Sequence, residues 1–326
     1  MRFVLGFDGG GTKTDCVLAD GSGKILARSQ SGPSNPLRVG FGTALASVRD
    51  AARAAQAQAE VSGDAPAAIC VGLAGAGPPD SAEKLRVLLS AEFSGTAILL
   101  CTDLDVALAA AGEGAVIVLL AGTGSFAVGR NAAGETARAG GYGSQIGDEG
   151  SAYDIGRHAV LTAMHEHDRT GGDSLLGQRL LRELACTTWP EVQARAQAAS
   201  DEVFPRLFSV VAAFADALDA PSADQATAAA LRSAKASAQG ILRAAAIDLC
   251  TLAQNLAERL KLSRDRFYLA KTGGMMGRCK YLEAQLDERL RGSFPQMELG
   301  QLQMTPAEAA ARMALRLLTS GSAGGR

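Results

Sequence analysis

The stretch VLGFDGGGTKTDCVLADGSGKIL (residues 4–26) is matched later in the chain by VLLAGTGSFAVGRNAAGETAR (residues 118–138). Each begins with an apolar run typical of a β-strand, breaks at a glycine-rich turn, alternates again, and reverses at a second turn into a third run. Such a duplication predicts two α/β domains that share one sheet topology. The alternative is a chance similarity between two glycine-broken hairpins, since turns of this kind are common.

The sequence around the two hairpins predicts the remaining elements by its periodicity. In the first half, strands are predicted at 67–73 and 96–101, and helices at 42–59, 81–92 and from 103 onward. After residue 150 the sequence is alanine-rich and helical, with a long helix near 224–262, a strand at 267–271, and helices at 278–290 and after Pro306.

These elements predict the division of the chain. We expect a first domain at 1–113, a hinge near 112–114, and a second domain at 114–305 that carries a helical insertion. The final helix, 306–319, is expected to pack back on the first domain, and the glycine- and serine-rich tail at 320–326 is expected to be flexible.

Composition limits the classes of function. The 326 residues have a net charge of −2 and a pI near 6.0, so a basic surface for nucleic acid is not expected. No apolar run approaches the roughly 20 residues that span a bilayer. We therefore expect a cytoplasmic protein without a membrane partner. The six cysteines are scattered without a C-x-x-C pair, which favours buried reduced thiols over a metal site.

The first candidate site, turn 1, follows the first strand and consists of Gly9, Gly10, Gly11, Thr12 and Lys13. Its glycines allow several backbone N–H groups to face a phosphate, while Thr12 adds a hydroxyl and Lys13 a cation. Asp8, at the strand end, is placed to hold the Mg²⁺ that accompanies the phosphates. A strand follows the turn, so it is neither a Walker A loop nor a dinucleotide-binding loop. A plain hairpin with a charged tip is the competing interpretation.

Two further turns have the composition of a nucleotide site. Turn 2 (residues 122–125) is the duplicate of turn 1, and its Thr123 and Gly124 are predicted to bind phosphate from the other side. Turn 3 (residues 272–277) follows a strand, and its Gly273 and Gly274 could lie flat against an adenine or ribose. A routine strand-to-helix connection would explain turn 3 equally well.

Asp103 follows an apolar strand and precedes a predicted helix. It could serve as the helix N-cap, which aspartate favours. It could equally be a general base that takes the proton from an attacking hydroxyl, the group that phosphoryl transfer requires in addition to positioning. The residues alone leave both interpretations open.

The glycine loop (residues 140–151, GGYGSQIGDEGS) combines five glycines with an aromatic residue and two acids. This composition indicates a loop folded against a ligand, with Gly141 and Tyr142 beside it and Asp148 or Glu149 accepting hydrogen bonds from hydroxyls. A helix N-terminus with acids in its first turn is the competing account.

Taken in order, these motifs resemble the N-acetylglucosamine kinase branch of the actin, hexokinase and Hsp70 superfamily, within the BadF-type ATPases, over residues 3–318. The resemblance implies two ribonuclease H-like (actin-like ATPase) domains with a cleft between them, ATP and Mg²⁺ as cofactors, and an amino sugar phosphorylated at its 6-OH. It makes Asp103 the catalytic base, twenty residues before Thr123, and makes Asn35 and Asp148 ligands of sugar hydroxyls. Tyr142 stands where the family usually has tryptophan, which leaves the sugar open. A homodimer is possible.

Three other functions share this machinery. The acceptor could be glucosamine or a muramic sugar, and the resemblance does not separate these. An iron–sulfur activator ATPase would need cysteines at a subunit interface, whereas Cys186 and Cys250 lie in helical, alanine-rich sequence. A sugar-sensing regulator is disfavoured because both phosphate turns, Asp8 and Asp103 are present and no DNA-binding helix pair precedes them.

Overall fold

A computed structural model of the chain describes residues 2–218 and 224–320. The chain divides into two units, Met1–Glu113 with Leu302–Arg326, and Gly114–Gln301. The second unit therefore ends four residues before the predicted position at 305. The predicted flexible tail, 320–326, lies outside the described residues except for Ser320, which ends a helix.

The first unit contains a five-stranded mixed sheet, with strands β1 (Phe3–Gly9), β2 (Thr14–Asp20), β3 (Ile25–Ser31), β4 (Ala68–Leu73) and β5 (Ala97–Cys101). The strand order is β3-β2-β1-β4-β5. The hairpins β1–β2 and β2–β3 are antiparallel, whereas β1, β4 and β5 run parallel. β4 is buried along its whole length, as expected for a strand covered on both faces.

Within residues 2–113, the helices that accompany this sheet are α1 (Pro36–Val39), α2 (Phe41–Gln58), α3 (Pro79–Glu92) and α4 (Asp103–Ala111). On one face of the sheet, Phe3, Leu5 and Phe7 of β1 pack with α2 and α3. Alternate residues of a strand point to opposite faces, so Val4 joins α4 in a separate cluster.

The second unit repeats this sheet with β6 (Val116–Ala121), β7 (Ser125–Arg130), β8 (Thr136–Gly140), β9 (Tyr268–Thr272) and β10 (Glu298–Gln301). Its order is β10-β9-β6-β7-β8. Read from the other edge, β8-β7-β6-β9-β10, it corresponds strand for strand to β3-β2-β1-β4-β5 of the first sheet. Again the first three strands are antiparallel neighbours and the last two pair in parallel. The duplication predicted from the hairpins is confirmed.

The described part of the second unit, 114–218 and 224–301, contains the helices α5 (Ala152–Thr170), α6 (Leu175–Glu183), α7 (Trp189–Arg206), α8 (Phe208–Ala215), α9 (Gln225–Arg259) and α10 (Lys280–Ser293). They bury one continuous apolar core together with Ile117 and Leu119 of β6. Within the described residues, no helix is long and apolar enough to cross a membrane.

The final helix, α11 (Pro306–Ser320), packs on the sheet of the first unit, chiefly against β1 and β4. Its small residues Ala307, Ala310, Ala311 and Ala314 are buried beside Val4 and Val17. Gly6 allows this approach, because a Cβ there would collide with the backbone of Ala311 and the carbonyl oxygen of Ala307.

Candidate active site

The carboxyl ends of β1, β4 and β5 meet at one edge of the first sheet, because these three strands are parallel. Turn 1 follows β1, Ala74 and Gly75 follow β4, and Asp103 follows β5. The chain after β4 is tied to β1 by a 2.8 Å hydrogen bond from the Ala74 N–H to the Gly9 carbonyl. Sheet topology thus brings together residues that are about 30 to 90 positions apart in sequence, as in other open α/β sheets.

Turn 1 is closed by a 2.9 Å hydrogen bond from the Gly10 N–H to the Lys13 carbonyl. Its first glycine is sterically required, because a Cβ on Gly9 would collide with the Ser34 hydroxyl and the Leu73 side chain. Thr12 and Lys13 are exposed at the tip. The tip of the turn is therefore open to solvent at the end of β1, where a phosphate could reach the Thr12 hydroxyl and the Lys13 ammonium.

Asn35 is held against turn 1 by the backbone that precedes α1. The N–H groups of Ser34 and Asn35 both donate to the Gly10 carbonyl, at 2.9 and 3.1 Å. The Asn35 side chain caps α1 by accepting from the Leu37 N–H, and its Oδ1 lies 2.5 Å from where a Cβ on Gly75 would stand. The predicted sugar ligand and the predicted phosphate turn are thus one connected structure.

Asp103 is the first residue of α4, and the N-cap interpretation of it is wrong. The cap is Thr102, whose hydroxyl accepts from the Asp105 N–H at 3.3 Å, while the Asp105 carboxylate accepts from the Thr102 N–H at 2.9 Å. This reciprocal capping box satisfies the helix start without the Asp103 carboxylate. Asp103 is half-buried.

Asp8 lies close enough to Asp103 for the two charges to interact. Burial, together with the negative charges of Asp103 and Asp15, raises the pKa of Asp8 to about 7, and the Lys13 cation lowers it only in part. The ionised form of Asp8 is therefore costly without a cation nearby.

That environment fits a magnesium ion. A cation would relieve both the burial and the repulsion felt by the Asp8 carboxylate. Within the described residues, no group of three or more His, Cys, Asp or Glu side chains forms a complete metal cage. Mg²⁺ commonly binds through one or two carboxylates, water and substrate phosphates, so a cage of protein ligands is not required.

In the second unit, turns 2 and 3 lie together at one sheet edge, because β6 and β9 are parallel neighbours. The Met275 N–H donates to the Ala121 carbonyl at 3.1 Å, and Gly273 has a φ of +106°. A side chain on Gly273 would be strained and would collide with the Ala121 backbone. The structure brings Thr123, Gly124, Gly273 and Gly274 to one place, as the nucleotide hypothesis requires.

The glycine loop folds back onto turn 2. The Ser125 hydroxyl donates to the Glu149 carbonyl at 2.7 Å, and the Ala152 N–H donates to the Gly122 carbonyl at 2.8 Å. A Cβ on Gly124 would lie 2.7 Å from Oδ2 of Asp148, so only glycine allows that carboxylate to approach the turn. Asp148 has a left-handed φ of 63°, and burial raises its pKa, opposed by backbone hydrogen bonds from Ser125 and Gly143.

Tyr142 and Ile146 are the exposed apolar side chains of the glycine loop, at 73% and 81% exposure. Gly141 precedes Tyr142 with a φ of +70°, and the Arg138 guanidinium donates to its carbonyl. Exposed apolar side chains of this size are typical of a binding surface that a ligand covers.

Sequence reasoning missed Lys271, which anchors turn 3. Its ammonium is 7% exposed and forms ion pairs with Glu283 at 3.2 Å and Asp287 at 2.5 Å. Glu283 also accepts from the Gly277 N–H at 2.9 Å, so the same carboxylate holds the buried lysine and the end of the turn. A lysine that ends a strand run, with acids twelve and sixteen residues later, was the available signal.

We expect Lys271→Met to raise KM for ATP several-fold with little change in kcat. The buried cation is lost, Glu283 and Asp287 then repel one another, and the Gly277 end of turn 3 is no longer fixed. Lys280→Met is the control, because Lys280 is an exposed lysine of α10, the helix that carries Glu283 and Asp287. Steady-state kinetics on both variants tests this. Equal KM values for ATP in the two variants would contradict an anchoring role.

Known proteins resemble this chain over most of its length. The model of the BadF/BadG/BcrA/BcrD ATPase family matches residues 5–314. An N-acetyl-D-glucosamine kinase from Dictyostelium discoideum is 28% identical over 96% of this chain and 98% of its own length. An N-acetylmuramic acid/N-acetylglucosamine kinase from Clostridium acetobutylicum is 33% identical, over 54% of this chain and 58% of its own length. This chain thus matches little more than half of the second relative.

Solved structures share the fold. A protein from Chromobacterium violaceum, assigned as an N-acetylglucosamine kinase, has a TM-score of 0.72 and 25% identity, covering 97% of this chain and 99% of that one. A ROK family glucokinase from Streptomyces griseus, in complex with glucose and AMPPNP, has a TM-score of 0.57 and 15% identity, covering 96% and 99%. The fold class that the sequence predicted is confirmed.

Proposed function

Because this chain belongs to the BadF/BadG/BcrA/BcrD ATPase family, we propose that it is an ATP-dependent sugar kinase whose preferred acceptor is N-acetylglucosamine. The observation that carries the proposal is the sheet edge of the first unit. There Asp103, at the start of α4, lies near Asp8, beside a glycine turn to which Asn35 is hydrogen-bonded. A base, a metal ligand, a phosphate turn and a hydroxyl ligand are the parts that phosphoryl transfer to a sugar requires.

Asp103 accepts the proton of the sugar hydroxyl as the hydroxyl oxygen attacks the γ-phosphorus. The new bond joins that oxygen to phosphorus, the bond from the γ-phosphorus to the bridging oxygen breaks, and ADP leaves. We assign the 6-OH as the attacking group from the resemblance to N-acetylglucosamine kinases. Asn35 and Asp148 hold other hydroxyls of the sugar, with Gly141 and Tyr142 beside it.

We assign the nucleotide contacts to the three turns. Turn 1 binds phosphate through Gly9, Gly10, Gly11, Thr12 and Lys13, and turn 2 binds phosphate through Thr123 and Gly124. Turn 3 binds adenosine through Gly273 and Gly274. Asp8 would hold the Mg²⁺ that neutralises phosphate charge.

The acceptor is proposed from the names of the relatives and from one position, Tyr142, at which this chain departs from the family pattern. Both curated relatives are named as kinases that act on N-acetylglucosamine, and one is named for N-acetylmuramic acid also. Tyr142 offers a smaller stacking face than the tryptophan that the family usually carries, together with a hydroxyl. Tyrosine at this position favours a sugar that presents a polar group to the Tyr142 hydroxyl over a sugar that only stacks on the ring.

The iron–sulfur activator function is disfavoured by the positions of the cysteines. Cys186 and Cys250 are 6% and 4% exposed, within the apolar core of the second unit. Cysteines that ligate a cluster at a subunit interface have to reach the surface. Both thiols are placed as core side chains.

Sugar-dependent ADP release tests the function directly. The purified protein with Mg·ATP should release ADP with N-acetylglucosamine as acceptor, and less efficiently with glucosamine, N-acetylmuramic acid or glucose. A ranking by kcat/KM across this panel identifies the acceptor. ADP release that is the same with and without every sugar would refute the kinase, and iron in the purified protein would favour the activator.

A further inference from the structure

The side chain of Arg38, on α1, lies over turn 1. A Cβ on Gly11 would stand 2.7 Å from a guanidinium nitrogen of Arg38 and 3.3 Å from its Cδ. The absence of a side chain on the third glycine leaves room for this arginine against the backbone of the turn. A Cβ at position 11 would push the guanidinium aside.

Backbone hydrogen bonds hold α1 in this position. The Gly10 carbonyl accepts from the N–H groups of Ser34 and Asn35, and the Arg38 N–H donates to the Asn35 carbonyl at 3.0 Å. Below them, the Thr14 hydroxyl lies 2.7 Å from both the Ser34 hydroxyl and the Gly32 carbonyl, in the interior. Arg38 is thus attached to the turn by its own helix.

The two cations at turn 1 differ in their partners. The Lys13 ammonium lies 2.7 Å from the Asp15 carboxylate, which partly neutralises it. Arg38 is exposed, and within residues 2–218 and 224–320 no carboxylate forms an ion pair with it. The cation at this turn that is available to an anion is therefore Arg38, whereas sequence reasoning assigned that role to Lys13.

We propose that Arg38 binds the terminal phosphate of ATP and stabilises the negative charge on it during transfer. This rests on the proposed kinase function. Asn35, the assigned sugar ligand, is three residues before Arg38 on the same short segment, so the phosphate nearest to both is the one transferred. A planar guanidinium offers two parallel N–H donors to phosphate oxygens, and such contacts strengthen as the transition state forms. Arg38 neither gives nor takes a proton.

The test uses Arg38→Gln and Arg38→Lys, with Arg53→Gln as the control, because Arg53 is an exposed arginine of α2. Affinities for Mg·AMP-PNP and Mg·ADP are measured by calorimetry, and kcat/KM for ATP by ADP release. Arg38→Gln should bind AMP-PNP roughly tenfold more weakly, with ADP affinity changed less than about twofold, because only AMP-PNP has the terminal phosphoryl group. Its kcat/KM should fall roughly 10²-fold. Arg38→Lys keeps the charge and should recover part of the loss.

Several outcomes would overturn the proposal. One is equal affinity of wild type and Arg38→Gln for AMP-PNP, with the thermal melting temperature unchanged. Another is an equal loss of affinity for AMP-PNP and for ADP in Arg38→Gln, which would place the contact on an inner phosphate. A third is a fall in kcat/KM that occurs only with N-acetylmuramic acid as acceptor, which would mean that Arg38 recognises a sugar carboxylate. If the wild type bound AMP-PNP but phosphorylated no sugar, the kinase function would fail, and the nucleotide affinities would still decide the role of Arg38.

Discussion

Replacing Asp103 by Asn should lower kcat by roughly 10²–10⁴-fold, the usual contribution of a general base. The amide keeps the size of the side chain but cannot accept the proton of the sugar hydroxyl. KM for ATP should change little, because we assign the nucleotide contacts to turns 1, 2 and 3. The like charge of Asp103 raises the pKa of Asp8, so its removal also favours the ionised Asp8 that a metal ion needs.

The chain offers a matched control two residues away. Asp105 completes the capping box of α4, whereas Asp103 does not take part in it. Asp105→Ala should therefore lower the free energy of unfolding by about 1 kcal/mol and leave kcat nearly unchanged. Asp103→Asn should do the reverse, with stability kept and activity lost. Steady-state kinetics and thermal melting on the two variants separate catalysis from capping. An Asp103→Asn enzyme that retains more than about a tenth of kcat would show that another residue is the base.

The fold followed from the sequence because its strongest signals are local. Glycine-broken hairpins recur at the same spacing, and strands β1 to β3 and β6 to β8 form at the two stretches that predicted them. Two elements were not predicted. α1 has only four residues, too few to show a helical period, and β10 is a half-exposed edge strand without an apolar run.

The residues of the candidate site could be proposed from the sequence, whereas most of the contacts between them could not. Asp8, Asp103 and the three turns occur at strand ends, where the topology of a parallel sheet brings side chains together. The capping role of Thr102 was obscured because two acidic residues share the first turn of α4, and either could have been the cap. The contact of Arg38 with Gly11 spans 27 positions, and no periodic pattern reports a tertiary contact of that kind.

Replacing Asp8 by Asn should abolish Mg-dependent phosphoryl transfer and, without Mg²⁺ and nucleotide, make the protein more stable. The wild-type carboxylate is buried next to Asp103 and Asp15, which raises its pKa to about 7. A neutral amide of the same size avoids that cost. Because one pKa unit corresponds to about 1.4 kcal/mol, the gain has an upper limit of roughly 4 kcal/mol, and a rise of several degrees in Tm is expected.

The gain has a defined dependence on pH. Near pH 4, Asp8 is protonated in the folded protein and about half protonated in the unfolded chain, so the variant and the wild type should differ little. Between about pH 4 and 7 the unfolded carboxylate is ionised while the folded one still holds its proton, and the wild type progressively loses stability relative to the variant. Above about pH 7 both states are ionised and the gain is complete.

Thermal unfolding at pH 4.5 and pH 8, in EDTA alone and separately in Mg·ATP without EDTA, checks this account of Asp8. Asp50→Asn is the control, because Asp50 is an exposed carboxylate of α2 and should change stability by no more than about 0.5 kcal/mol. Mg·ATP should stabilise the wild type more than the Asp8→Asn variant, since only the wild type keeps the carboxylate that the cation relieves. A variant that is no more stable than the wild type at pH 8 would show that burying this charge is not costly. A variant that still transfers phosphate with Mg²⁺ would show that the metal is held elsewhere.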